Sequence, residues 1–296
     1  MSKTRTIVTG GSGYVGRFIV EDLLSAGHAV TVTGRRPPPT GFFSAPVDFH
    51  PLTLGAEGAA DVPFAGADFL VHAAFDHVAG KYRGGEGDDP DGFRRRNLDG
   101  SIALFEAARA AGVRRAVFLS SRAVYGLRPP GTWLDEVDEA RPDTLYGRVK
   151  LEAEEALAAL GSEGFQGISL RVTGVYGPSG SGRPHKWSGL FADYLAGRAI
   201  TPRAGTEVHG RDVAAAVRLV LSLGTGTTYN VSDLLVDRRD ILAAVKRISG
   251  SPFPLPPAAD KQAVNAMHTD RLRALGWQPG GEQLLEKTIE QLLSRS

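Results

Sequence analysis

The sequence predicts an α/β fold built on a doubly wound parallel sheet. Strand-like and helix-like segments alternate through the first half of the 296 residues, which is how a parallel sheet covered by helices on both faces is written in sequence. At the first strand-to-helix junction stand three glycines, Gly10, Gly13 and Gly16. Apolar residues on either side of that junction change period, from a continuous run to a helical stripe.

The apolar run Thr6-Ile7-Val8 is the first strand, and Val15, Phe18, Ile19, Leu23 and Leu24 recur at helical spacing after it. His28–Thr33 is the second strand, Phe69–Ala73 a later one and Ala116–Ser120 another. Between them Asp91–Ala111 is a long amphipathic helix, with Leu98, Ile102, Leu104, Phe105 and Ala108 on one side and Gly112 at its end. Leu145–Leu160 is a second helix, begun after Pro142, where Asp143 or Thr144 can cap the free N–H groups. The polar, Gly- and Pro-rich segments Arg35–Thr40, Lys81–Asp91 and Ser179–Lys186 read as loops, and loops of that length often border a site.

Composition narrows the function classes. With 42% hydrophobic and 23% charged residues and a formal net charge of +1, the chain has no overall attraction to nucleic acid or to a membrane surface. It has no cysteine, so disulfides, thiolate nucleophiles and cysteine metal sites are excluded. The seven histidines form no pair at metal-binding spacing, and no metal is expected. No apolar run approaches a membrane span, and the first residues enter a strand instead of offering a cleavable signal. A cytoplasmic protein is the expectation, with a small molecule as its partner.

At the glycine turn the missing Cβ atoms let backbone approach a pyrophosphate, and the N–H groups of the helix's first turn face its negative charge. A tight strand-to-helix loop also uses glycines, but the strand before and the amphipathic helix after favour a dinucleotide. The second strand ends in Thr33-Gly34-Arg35-Arg36. An acidic residue there would bind the adenosine ribose and repel a 2′-phosphate; two guanidinium groups stand in its place and suit phosphate. NADP is the preferred cofactor, with NAD as the alternative, while a solvated basic turn would use the same residues.

Tyr146 and Lys150 are four residues apart on a predicted helix, so both side chains leave one face. A phenol ionises near pH ~10, and a neighbouring ammonium favours its phenolate. Ser121 follows the strand Ala116–Ser120, on the sheet edge where ligands bind. Alone, the helix pair also suits a half-exposed helix with a snorkelling lysine. Beside the glycine turn and Ser121 the catalytic reading prevails.

These pieces carry a resemblance. Thr9–Gly16 (TGGSGYVG), His72-Ala73-Ala74, Asn97 within Arg96–Gly100, Ser120–Gly126 (SSRAVYG), Tyr146–Lys150 (YGRVK) and Leu170–Pro178 (LRVTGVYGP) occur in an order and spacing that resembles extended short-chain dehydrogenase/reductases, the NAD(P)-dependent epimerase/dehydratase family, over nearly the whole chain. The segments Val208–Ala214 and Leu272–Trp277 are also similar to family features. The resemblance implies a Rossmann sheet with a smaller C-terminal substrate-binding lobe: residues 1–177 and the returning stretch 208–231 bind NAD(P), while 178–207 and 232–296 form the lobe. Residues 209–223 would rejoin the sheet as a helix and 228–231 as a strand, and the amphipathic stretch Glu282–Arg295 would complete the lobe. It implies Ser121, Tyr146 and Lys150 as the catalytic set: Tyr146 the general acid/base, Lys150 on the nicotinamide ribose, and Ser121 on the substrate oxygen. Gly10, Gly13, Tyr14, Val15, Gly16, Arg35, Arg36, Ala73, Ala74, Asn97, Tyr146 and Lys150 would form the cofactor site, with Asn97 supporting its architecture. The two long helices resemble the pair through which family members form homodimers.

Two departures bear on the substrate. Members acting on nucleotide sugars often carry an asparagine at the place of Gly174 and an arginine shortly before the Val-His segment, where this chain has Gly205-Thr206-Glu207. A buried diphosphate needs a charged partner, so a standard uridine-diphosphate sugar is not expected unless Arg183, Lys186, Arg198 or Arg203 substitutes. Ser121, Arg122, Arg183 and Arg211 are the candidate substrate residues, and Trp187, Phe191 and Tyr194 offer either an apolar wall or core packing. The Asp-Glu pair that dehydratases carry after the serine is replaced by Arg122-Ala123, which disfavours elimination. The expected activity is an NAD(P)-dependent oxidoreductase moving a hydride to or from a secondary alcohol or ketone of a sugar-like substrate. The alternatives are a nucleotide-sugar epimerase with tightly bound NAD(P), and a catalytically silent NADP-sensing protein.

Overall fold

The computed structural model describes residues 3–77, 85–180, 183–223 and 228–294; the predicted loops at 81–84 and 181–182 lie outside them. Among the described residues the main sheet has seven parallel strands. These are β1 (Arg5–Thr9), β2 (Ala29–Gly34), β3 (Asp48–Pro51), β4 (Phe69–His72), β5 (Arg115–Ser121), β6 (Gln166–Val172) and β9 (Thr228–Val231), in the order β3-β2-β1-β4-β5-β6-β9. The order reverses beside β1, so the carboxyl ends of β1 and β4 open a crevice there, where ligands of doubly wound sheets bind.

Successive strand residues point to opposite faces, and each face has its own core. Val8, Val32, Val71, Val117 and Leu119 pack under α1 (Tyr14–Ser25) and α6 (Gly210–Leu223). Ile7, Leu70, Ala116 and Phe118 pack on the other side, against α3 (Gly100–Ala110) and α4 (Leu145–Ala159). Burying one such side chain stabilises by about 1.5–3 kcal/mol, so the apolar runs of β1, β4 and β5 are satisfied on both faces.

The predicted continuous helix Asp91–Ala111 is interrupted. It consists of α2 (Pro90–Arg94), a π-helical turn Arg95–Asp99, and α3. The apolar periodicity registers the helical face but not the one-residue bulge, which is held by side-chain bonds from Asn97 to distant backbone. Such bulges are frequent at functional sites. Thr144 is the cap of α4, its hydroxyl accepting from Gly147 N at 3.0 Å.

After Thr173 the chain leaves the main sheet. Strands β7 (Gly174–Tyr176), β8 (Ala204–His209) and β10 (Leu234–Asp237) form a second sheet, β7 parallel and β10 antiparallel to β8. Helices α5 (Ser188–Leu195), α7 (Arg238–Ser249), α8 (Asp270–Ala274) and α9 (Gly281–Leu293) complete the second half. Tyr176, Trp187, Phe191, Tyr194, Leu242 and Ile289 share a separate core beside this sheet. Trp187, Phe191 and Tyr194 are all buried there, so they serve packing. Helix α6 and strand β9 rejoin the main sheet at the residues expected for them.

Candidate active site

The glycine turn sits at the carboxyl end of β1. Gly10 has φ +68°, and a Cβ there would lie 2.7 Å from Ala74 Cα; one on Gly16 would lie 2.2 Å from the Gly10 carbonyl oxygen. The turn therefore presses backbone against backbone, as close approach to a pyrophosphate requires. Helix α1 starts at Tyr14 with Gly13 at its cap, with no side-chain cap bond and no acidic residue in its first turn. Its amide groups and positive dipole end are thus available to an anion. These features fit a dinucleotide. Val15 is half-buried against the core beneath the turn. The turn and its helix are tied to the segment after β7: Tyr14 OH donates to Gly177 O at 2.7 Å, Arg17 to Pro178 O at 3.0 Å, and Arg183 donates back to Ser12 O at 2.8 Å. The second half of the chain is thereby clamped onto the turn.

Beside β1, the Ala73 and Ala74 amides donate to Thr9 O and Thr9 Oγ1 at 3.1 and 3.3 Å. Thr9 Oγ1 and His72 Nδ1 lie 2.6 Å apart, and His72 Nε2 and Ser101 Oγ 2.8 Å apart. Ser101 donates its proton to the Asn97 carbonyl, so Nε2 carries the imidazole proton and Nδ1 accepts from Thr9. Burial, with the charge of Lys150 nearby, lowers the His72 pKa to about 3 and keeps the ring neutral. Asn97 is itself buried. Its Oδ1 accepts from Asp76 N at 2.7 Å, and its Nδ2 donates to Asp76 O at 2.8 Å and to Phe93 O at 3.0 Å. Asn97 thus grips the backbone just after β4 and has no side-chain donor left over for a ligand.

Tyr146, Lys150 and Ser121 converge at the carboxyl ends of β4 and β5. Lys150 is buried, donates to Leu119 O at 2.6 Å, and lies over the rings of Phe75 and Phe118 at 4.1 and 4.5 Å. Its ammonium is 5.9 Å from the Tyr146 ring, which meets Phe75 edge-on. Burial pulls the Lys150 pKa down to about 7, against a smaller opposing pull from Glu154. Ser121 Oγ accepts from Ala123 N at 3.2 Å, which leaves its proton to donate. A tyrosine, a buried cation and a hydroxyl donor on one sheet edge can together move a proton and steady a developing negative charge.

Sequence spacing missed the supports. Glu154, four residues beyond Lys150, pairs with Arg171 at 2.8 Å in a buried bridge and accepts from Ser120. The i+4 step on α4 was the available signal for it. Phe75 and the Leu119 carbonyl left no comparable trace. Arg35 and Arg36 are exposed at the end of β2; Arg35 lines a cavity of about 500 Å³ with Thr53, Leu54 and Gly58, and lies 3.8 Å from Asp76. Arg211 is exposed, its backbone amide donating to His209 Nδ1 at 3.0 Å, and Arg198 pairs with Asp193. At Gly174 an added Cβ would meet Lys186 Nζ and Glu207 Oε2, which are paired in that space.

A family model described as the NAD dependent epimerase/dehydratase family matches residues 6–232. The chain belongs to this family. It is 28% identical over 330 aligned positions to a UDP-glucose 4-epimerase of Rhizobium leguminosarum bv. trifolii, covering 94% of either chain. A UDP-glucose 4-epimerase of Thermus thermophilus, solved in complex with NAD, superposes with a TM-score of 0.78 at 30% identity, over 98% of this chain and 99% of that one. The fold of a UDP-glucose 4-epimerase from Thermotoga maritima, solved with UDP-glucose, matches with a TM-score of 0.79 at 20% identity, over 98% and 99%. This epimerase/dehydratase member is therefore an enzyme of an NAD-dependent family. All three of these similar proteins are UDP-glucose 4-epimerases. Among the described residues no group of His, Asp or Glu could hold a metal, and no helix is long and apolar enough to cross a membrane.

Proposed function

We propose that this enzyme epimerises a secondary carbinol centre of a sugar or sugar-nucleotide substrate. The observation that carries the reading is the buried Lys150 ammonium, fixed on Leu119 O beneath Tyr146 and beside Ser121. Tyr146 accepts the hydroxyl proton of the substrate as its carbon is oxidised, and Lys150 steadies the negative charge on the phenol oxygen. Ser121 donates to the carbonyl oxygen that forms. When bound, the nicotinamide supplies the acceptor and donor of hydride. Once the substrate turns its other face, Tyr146 returns the proton to the oxygen, so no net oxidation results. The glycine turn with Tyr14 and Val15, the Ala73-Ala74 backbone, and Lys150 hold the cofactor; Asn97 shapes its wall.

The same reading divides the chain as 1–177 with 208–231, and 178–207 with 232–296, supported by the separate core around Trp187 and Ile289. It takes NADP as the preferred cofactor through Arg35, and a homodimer through α3 and α4, to be read by sedimentation. The deciding experiment follows a substrate deuterated at the reacting carbon by NMR. An epimerase yields the epimer with the label retained and no accumulating reduced nicotinamide, and Tyr146→Phe stops this while still binding the dinucleotide. Stoichiometric reduced cofactor would replace epimerisation by net oxidation, and full activity of Tyr146→Phe would remove its role.

A further inference from the structure

The basic residues around the crevice are mostly accounted for. Lys150 holds Leu119 O, Lys186 pairs with Glu207, Arg171 with Glu154, and Arg183 reaches Ser12 O. Arg122 is different. It follows Ser121 directly, on the 3-10 turn Arg122–Tyr125 that opens at the carboxyl end of β5. It is half-buried, and only its Nε is engaged, donating to Asn265 O at 3.1 Å. No carboxylate among the described residues pairs with it, and burial lowers its pKa without an acid to offset the cost. Half-burying a guanidinium with no counter-charge is unfavourable to folding. The planar fork of Nη donors left over is the geometry that grips a carboxylate through two parallel hydrogen bonds.

Resting on the epimerase reading above, we infer that Arg122 binds a carboxylate carried by the substrate's reacting ring, so that the substrate class is sugar acids. Arg122 follows Ser121 at the carboxyl end of β5, the edge where ligands of doubly wound sheets bind, and in this assignment its free Nη fork reaches the ring whose carbinol oxygen Ser121 holds. A carboxylate on the same small ring meets that requirement, whereas a nucleotide's phosphates lie at the distal end of the substrate. In the register of the sheet Ser121 faces Val172, two residues before Gly174. The neighbouring charges there, Lys186 and Glu207, already neutralise one another, which leaves Arg122 to meet the extra negative charge.

The test is calorimetric binding, to protein loaded with whichever of NAD and NADP it binds tighter, of two matched pairs: D-glucuronate against D-glucose, and UDP-glucuronate against UDP-glucose. Within at least one pair the acid should bind about 10- to 100-fold tighter, the range for hydrogen bonds to a charged group. Arg122→Gln should bring that ratio close to one, and Arg122→Lys, which keeps the charge but loses the fork, should hold an intermediate ratio. If Arg122→Gln no longer binds the dinucleotide, the Lys variant decides alone. Ratios near one in both pairs for the unaltered protein, ratios unchanged in the variants, or an equal loss for both UDP-sugars that points to the diphosphate, would each overturn the assignment. These ratios do not depend on turnover. An enzyme that selects the acid yet interconverts no epimers would sink the proposed reaction and leave Arg122 in its role.

Discussion

Lys150 Nζ donates a 2.6 Å hydrogen bond to the carbonyl oxygen of Leu119, two residues before Ser121 on β5. That bond joins the helix bearing Tyr146 to the strand bearing Ser121, so three side chains remote in sequence meet at one sheet edge. It also leaves a cation under aromatic rings with its nearest acid, Glu154, already committed to Arg171. Folding gains little from such a cation, whereas a reaction that builds negative charge beside it gains much.

Replacing Lys150 by Met should therefore stabilise the protein while removing activity. Burial depresses the folded-state pKa to about 7 from 10.5, so between those values the unfolded chain binds more protons and stability rises with pH. The destabilisation from Lys150 is complete below pH 7 and fades toward pH 10.5. The Met variant's advantage, a few kcal/mol on the order of a buried unpaired charge, should be largest near pH 7 and shrink by pH 10, while its turnover falls about 10²-fold or more. Urea unfolding of both proteins at pH 7 and pH 10 reads the difference; an advantage that grows with pH would refute the assignment.

Gly16→Ala places a Cβ 2.2 Å from the Gly10 carbonyl oxygen, which is backbone and cannot rotate away. Overpacking of this kind costs about 1–3 kcal/mol. Because the displaced turn is the one facing the pyrophosphate, dinucleotide affinity should drop roughly tenfold or more, each tenfold being 1.4 kcal/mol. Fluorescence titration with NADH and NADPH measures it, and an unchanged Kd for both would separate the turn from cofactor binding.

The central sheet and the Ser121, Tyr146 and Lys150 meeting point were legible in the sequence because their signals are local. Ile7-Val8 and Leu70-Val71 record burial on two faces, and the four-residue step from Tyr146 to Lys150 records one helix face. The π turn at Asn97 was not legible, since its cause is a set of bonds to Asp76, 21 residues earlier. The same holds for β7 and β8: strands of three and six residues, paired with each other and with β10 across long insertions, show no periodicity of their own. Arg35 was legible as a cation at the end of β2, but its neighbour Asp76, reached through the strand β4, was not.

Arg35→Asp should shift the cofactor preference toward NAD. Arg35 is 78% exposed and faces Asp76 at 3.8 Å, a separation at which an exposed pair contributes little, so its guanidinium is free to turn to a 2′-phosphate. Losing a charge-assisted contact and adding a repulsive one should lower the NADP/NAD affinity ratio about 10- to 100-fold. Parallel titrations with the two nucleotides give the ratio; one that does not move removes Arg35 from cofactor selection.

Asn97→Ala tests whether the wall of the cofactor crevice is held from beneath. The substitution deletes three hydrogen bonds, to Asp76 N, Asp76 O and Phe93 O, and takes the side-chain partner from the half-buried Asp76 backbone groups. At about 1 kcal/mol per bond, with the unsatisfied groups adding to it, the loss should reach roughly 3 kcal/mol, or about 6–12 °C in Tm for a domain of this size. The segment it frees carries Phe75, whose ring covers Lys150, so the dinucleotide Kd should rise and the Lys150 ammonium should regain hydration and titrate higher. A variant that loses Tm but keeps both the dinucleotide Kd and the pH profile of turnover would show Asn97 to be structural alone. Coupled loss of stability, affinity and pH response would place it as the residue that positions the crevice wall.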